Sequence, residues 1–110
     1  MYLGIDVGAS KILFAVFEPD RKKVSEYKVP TPQDYEVFLS TVGKTAKEQL
    51  SQYEFTAACA AIPGWIDFEK GTAVGFGNLP WHDVPIQKDI DEQLAGVKLF
   101  IHNDAKLAGL

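Results

Sequence analysis

The sequence has 110 residues, 46% of them apolar and 24% charged, an ordinary composition for one globular domain that excludes a fibrous, low-complexity or disordered chain. Eleven Lys and Arg against fifteen Asp and Glu give a net charge of −4 and a pI near 5.0, with no basic stripe, so nucleic acid and anionic membrane are disfavoured partners. One cysteine, Cys59, and two separated histidines supply neither an internal disulfide nor a structural zinc site, and a reducing, cytosolic compartment fits best.

The first residues carry an acid, Asp6, and no basic n-region, which does not match a signal peptide. Tyr2 to Val7 is a short apolar run, Gly8-Ala9-Ser10-Lys11 a turn-like tetrad, and Ile12 to Phe17 apolar again, the pattern of a hairpin. After the polar turn Glu18 to Lys23, the run Val24 to Val29 predicts a third strand, antiparallel and near an edge, ended by Pro30-Thr31-Pro32. From Asp34 the period changes. Tyr35, Phe38, Leu39, Val42, Ala46, Gln49, Leu50 and Tyr53 share one face at helical spacing, predicting an amphipathic helix of about five turns.

Phe55 to Ile62 reads as a buried strand stopped by Pro63-Gly64. The longest uncharged stretch, Phe55 to Ile66, is interrupted by that pair and falls well short of the roughly 20 residues that span a bilayer. Trp65 to Phe76 predicts a hairpin around Glu69-Lys70-Gly71, and Gly77 to Asp83 a loop rich in turn residues. Ile86, Ile90 and Leu94 mark a second helix stopped at Gly96, Val97 to Ile101 a last strand, and Asn103-Asp104 the cap of a helix running to the end. The order β, β, β, α, β, hairpin, α, β, α implies an α/β domain on a mixed sheet with right-handed crossovers.

Ligands of such sheets gather at the carboxyl ends of the strands. Val7-Gly8, Ile62-Pro63-Gly64 and His102-Asn103-Asp104 all fall at predicted strand ends, so three polar or glycine-bearing turns can converge on one edge. An acid in an apolar strand is costly unless it is paired or faces a cation, which makes Asp6 a candidate metal residue. Gly8 removes a side chain where a phosphate could approach, and the amides of Ala9, Ser10 and Lys11 can donate to it; a plain solvated hairpin turn is the alternative. Asn103-Asp104 serves either as a helix cap or, at a strand end, as a base with an adjacent sugar-holding amide. Pro63-Gly64 and Gly77-Asn78 would admit a polyol against the backbone, or are simply turns. Cys59 fits a buried small hydrophobe, and Trp65 and Trp81 fit core or lid aromatics, either of which could stack on a sugar.

Four ordered segments together resemble the N-terminal lobe of a ROK-family sugar kinase, glucokinase-like, within the actin-like, hexokinase and sugar-kinase superfamily. Gly4 to Lys11 resembles the family's first phosphate segment, GIDIGGTK. Ala60 to Asp67 resembles its VPGxVD segment, Gly71 to Trp81 its stretch ending NLPGW, and Ile101 to Ala105 its ENDAN segment. The departures are Ala9 for a glycine, Ser10 for a threonine, His102 for a glutamate, Lys106 for an asparagine, and one glycine absent between Pro80 and Trp81.

The resemblance implies a ribonuclease H-like (actin-like ATPase) domain, a five-stranded mixed sheet whose first three strands are antiparallel, with helices on both faces. It implies that residues 1–110 are one lobe of a two-lobed kinase, inactive alone, whose second lobe lies outside this chain together with any zinc site. By the same resemblance Asp6 would hold the magnesium of MgATP through water, and Gly8, Ala9, Ser10 and Lys11 would cover the phosphates. Gly64, Gly77, Asn78 and Asn103 would hold a hexose or N-acetylhexosamine, and Asp104 would take the proton from its hydroxyl. A homodimer of the whole protein is compatible with the family. Two rival readings stand beside the kinase: a sugar-sensing ROK regulator without catalysis, and an actin-like ATPase or binding domain that uses no sugar.

Overall fold

The computed structural model describes residues 1–75 and 79–102. Five strands form the main sheet: β1 (Tyr2–Val7), β2 (Lys11–Phe17), β3 (Lys23–Pro30), β4 (Ala57–Ala61) and, later in the chain, β8 (Lys98–His102). Their order is β3-β2-β1-β4-β8. The β1–β2 and β2–β3 pairs are antiparallel, while β4 runs parallel to β1 and β8 parallel to β4. Short turns suffice for the antiparallel pairs, whereas each parallel strand needs a crossover, and a helix supplies it in both cases.

Strand periodicity sorts the sheet into two faces. On one, Leu3, Ile5 and Val7 of β1 lie beside Ile12, Phe14 and Val16 of β2, Ala58 and Ala60 of β4, and Leu99 and Ile101 of β8, all buried. Helix α1 (Tyr35–Lys44) and helix α2 (Ile86–Gln93) cover this face and bury Phe38, Leu39, Val42, Ile86 and Ile90 in the same cluster. The other face carries Gly4, Cys59 and Phe100 in one row and Leu13, Asp6, Ala61 and His102 in the next. Both described helices lie on the first face; the helix expected from Asn103 onward lies outside the described residues.

Helix α1 starts where the Asp34 carboxylate accepts from the amide of Val37 at 3.0 Å, satisfying an amide that has no partner within the helix. The expected five-turn helix changes character at Thr45, where residues Thr45–Gln49 form a π-helical turn closed by the Leu50 amide donating to the Thr45 carbonyl at 3.2 Å. Apolar positions four apart, Val42, Ala46 and Leu50, drift by about 40° per step around an α-helix. The wider turn takes up that drift, and Leu50 ends buried.

Between β4 and α2 the chain builds a second sheet of β5 (Trp65–Asp67), β6 (Thr72–Gly75) and β7 (His82–Val84), all antiparallel. The hairpin around Glu69-Lys70-Gly71 is as expected. β7 replaces the end of the expected turn-rich loop through Asp83: its pairing with β6, Ala73 with Val84 and Gly75 with His82, is a contact the three residues do not announce locally. Ile66 and Ala73 turn into the core, while Trp65, at 78% exposure, is neither a core nor a buried lid residue.

Trp81 anchors this small sheet to the helices. Its ring centroid lies 4.6 Å from that of Phe38 and 5.4 Å from that of Tyr35, and its indole N–H donates to the Gln33 carbonyl at 2.8 Å. The Tyr35 hydroxyl donates to the Asp89 carboxylate at 2.8 Å, tying α1 to α2. Burial, the hydrogen bond to Asp89, the charge of Asp89 and that of Glu36 hold the Tyr35 phenol well above its ordinary value of 10.0. The stability this contributes is complete below about pH 10, where the phenol keeps its proton folded and unfolded, and is lost as pH climbs further. Tyr35→Phe should therefore flatten the fall in unfolding free energy above about pH 10, read by urea titrations compared with the parent chain.

Candidate functional site

The carboxyl ends of the three parallel strands coincide. Asp6 of β1 is opposite Ala61 of β4, which is opposite His102 of β8, and the Ile62 amide donates to the His102 carbonyl at 2.7 Å, carrying the ladder to its last rung. Two of the three converging turns start from this row: Gly8 to Lys11 follows β1, and Pro63-Gly64 follows β4. The third is expected to begin at Asn103. Asn103 and Asp104, together with Gly77 and Asn78, lie outside the described residues.

Asp6 is partly buried, on the sheet face opposite the helices, between Leu13 and Ala61. Its carboxylate makes no hydrogen bond or ion pair among the described residues. Gly8, Ala9, Ser10 and Lys11 form the tight turn expected of them, with Ala9, Ser10 and Lys11 exposed. The Gly8 amide donates to the Lys11 carbonyl at 2.9 Å. That closure explains the glycine in a way its spacing did not: a Cβ on Gly8 would sit 2.8 Å from the Lys11 carbonyl oxygen, so the turn itself leaves no room for a side chain. Ala9 has no such restriction, because it is not among the residues with positive φ, and a methyl group is tolerated where related sequences carry glycine.

Gly64 is exposed with φ of 96°, a conformation open to glycine and strained for other residues. It turns the chain out of the main sheet at Ala61 and into β5, and so presents backbone rather than side chain at the edge of the row. Cys59 lies on β4, where burial pushes its thiol pKa up, which is the opposite of what a nucleophile needs.

One contributor escaped sequence reasoning. Thr31, one of two buried polar residues among the described residues, donates its hydroxyl to the Gly8 carbonyl at 2.8 Å and its amide to the Ser10 carbonyl at 3.0 Å. The signal available was Pro30-Thr31-Pro32, which reads locally as a strand end and gives no hint of what the threonine reaches.

A five-stranded mixed sheet of this order, with a glycine-bearing turn closing its central hairpin and helix-linked parallel strands ending beside it, defines a domain of the actin-like ATPase fold. The chain belongs to the ROK family, whose model matches residues 2–110. It is 32% identical over its whole length to the N-acetyl-D-glucosamine kinase of Vibrio atlanticus, and spans 37% of that relative. Among solved structures, a ROK family glucokinase from Streptomyces griseus in complex with glucose and AMPPNP superposes with a TM-score of 0.82 at 22% identity, covering 93% of this chain and 32% of that one. The ROK hexokinase from Thermus thermophilus gives 0.80 at 28% identity, covering 92% and 34%. This chain thus corresponds to about a third of the length of these sugar kinases.

Because the space at Gly8 is closed by backbone, Gly8→Ala should cost about 1–3 kcal/mol of unfolding free energy, the usual scale for forcing an extra carbon into a packed site. Ala9→Gly should stay within about 1 kcal/mol of the parent. Urea denaturation of the two variants separates the positions.

Proposed function

We propose that this chain is the N-terminal lobe of an ATP-dependent kinase acting on a hydroxyl of a hexose or N-acetylhexosamine, with its second lobe supplied by the rest of the protein. The observation that carries the reading is the shared row of Asp6, Ala61 and His102, from which a glycine-bearing turn and a Pro-Gly turn depart at one edge and after which Asn103-Asp104 follow in the sequence. The sugar-kinase relatives supply the reaction class.

Magnesium suits the donor set. The Asp6 carboxylate lies on the main sheet beside the strand ends and makes no hydrogen bond or ion pair among the described residues. Magnesium keeps much of its water and takes one or two carboxylates plus phosphate oxygens, so Asp6 would hold it through water. When bound with ATP, the ion offsets charge on the phosphates.

The Ala9 and Ser10 amides, with the Ser10 hydroxyl and the Lys11 ammonium, would bind the phosphate oxygens. The Gly64 backbone and the Gly77, Asn78 and Asn103 positions would orient the sugar. Asp104 would accept the proton of the reacting hydroxyl as its oxygen bonds to the γ-phosphorus and the bond to the ADP oxygen breaks. Positioning of sugar and phosphate in line supplies much of the rate in such a reaction.

The test is ADP release on a panel of hexoses and N-acetylhexosamines by the full-length product of the reading frame, with and without Asp104→Asn. Turnover that Asp104→Asn lowers by about 10²- to 10⁴-fold, the range for a positioned acid or base, supports the kinase and names its sugar. A folded protein that binds a sugar and never turns over would instead favour the regulator reading.

A further inference from the structure

We infer that Thr31 is a positioning residue for phosphate binding: it ties the Gly8 and Ser10 carbonyls of the Gly8–Lys11 turn to the protein side and leaves the Ala9 and Ser10 amides open. The inference rests on the kinase reading above, because it assigns a purpose to the turn that reading places against ATP.

Three of the four carbonyls of the turn, those of Gly8, Ser10 and Lys11, are held by hydrogen bonds on the protein side. The Lys11 oxygen accepts from the Gly8 amide at 2.9 Å, the Gly8 oxygen from the Thr31 hydroxyl at 2.8 Å, and the Ser10 oxygen from the Thr31 amide at 3.0 Å. Two of these three bonds come from one residue. In contrast, the amides of Ala9 and Ser10 donate to no partner among the described residues, and both residues are exposed. A carbonyl pointed at a phosphate repels it and an amide attracts it, so a bond that fixes the carbonyls on the protein side selects the anion-binding state of the turn.

The flanking prolines explain why a threonine does this here. Lys11 is opposite Pro30 at the end of β3, and Pro30 has no N–H to offer the turn. Thr31 supplies the next donor along the strand. Pro32 disfavours helical geometry at Thr31 and keeps it extended, so the strand direction continues one residue past Pro30 and brings both the Thr31 amide and hydroxyl to the turn. The hydroxyl is buried among these contacts, and removing it leaves the Gly8 carbonyl without its donor.

The experiment measures the dissociation constant of MgAMPPNP, and the KM values for MgATP and sugar, in the full-length protein and in Thr31→Val and Thr31→Ser. Thr31→Val keeps shape and the backbone amide but loses the hydroxyl; it should weaken MgAMPPNP binding and raise KM for MgATP roughly tenfold, the scale of one lost hydrogen bond to a buried acceptor, while KM for sugar stays within about twofold. Thr31→Ser keeps the hydroxyl and should bind the nucleotide like the parent. Equal losses for nucleotide and sugar, an unchanged nucleotide constant in Thr31→Val, or a Thr31→Ser variant that binds nucleotide no better than Thr31→Val would each overturn the assignment. Should Thr31→Val fail to fold, weakened nucleotide binding in Thr31→Ser alone overturns it. A parent that binds MgAMPPNP yet phosphorylates no sugar defeats the kinase reading and leaves the nucleotide comparison decisive; a parent that binds no MgAMPPNP defeats both.

Discussion

Burial of Leu3, Ile5 and Val7 under one layer of helices is the constraint from which the rest of this structure follows. β1 is the central strand, with β2 on one side and β4 on the other, so its pleat sets the register of both neighbours. With odd positions committed to the core, Asp6 has to fall on the opposite face, where its charge is not surrounded by helices. Slipping the strand by one residue would bury Asp6 and expose Ile5, a cost that holds the register in place. The same register sets Asp6 level with Ala61 and His102, and thereby brings the strand ends together.

A second dependence runs through the short segment between β3 and α1. Thr31 bonds to the β1–β2 turn, Gln33 accepts from the Trp81 indole, and Asp34 caps α1. Three of the four consecutive positions from Thr31 to Asp34 thus reach the glycine turn, the small sheet and the helix layer. Trp81 packs on Phe38 and Tyr35, and Tyr35 reaches Asp89 on α2, so the small sheet is held against the same helices that cover the main one. The two sheets are fixed relative to each other through side chains widely separated in sequence.

Much of this was legible beforehand because it is local. The first hairpin, the edge position of β3, the β4 and β8 strands and the start of α1 all follow from runs of apolar residues with clear punctuation, although β8 lies at the sheet edge with Phe100 exposed and is not buried throughout. β7 was not legible: His82, Asp83 and Val84 have no strand-like alternation, and they pair only because β6 offers an edge. Nor was the π-helical turn, since a stripe spaced at four residues looks helical until the burial of Leu50 forces the wider geometry. Gly8 was singled out for the approach of a ligand, and the structure adds a reason of its own, since its turn already excludes a side chain.

What the sequence by itself determined was the order of the main strands and helices, the α/β class and the family, because periodicity, turn residues and ordered motifs such as Gly4 to Lys11 are carried by neighbours in the chain. Only the tertiary structure decided which residues meet. Asp6 shares a row with Ala61 and His102 through parallel pairing across long crossovers, and Thr31 bonds to Gly8 through the return of β3 along β2. Such contacts depend on strand register and on the direction of single side chains, which the burial of the whole core selects and no local pattern encodes.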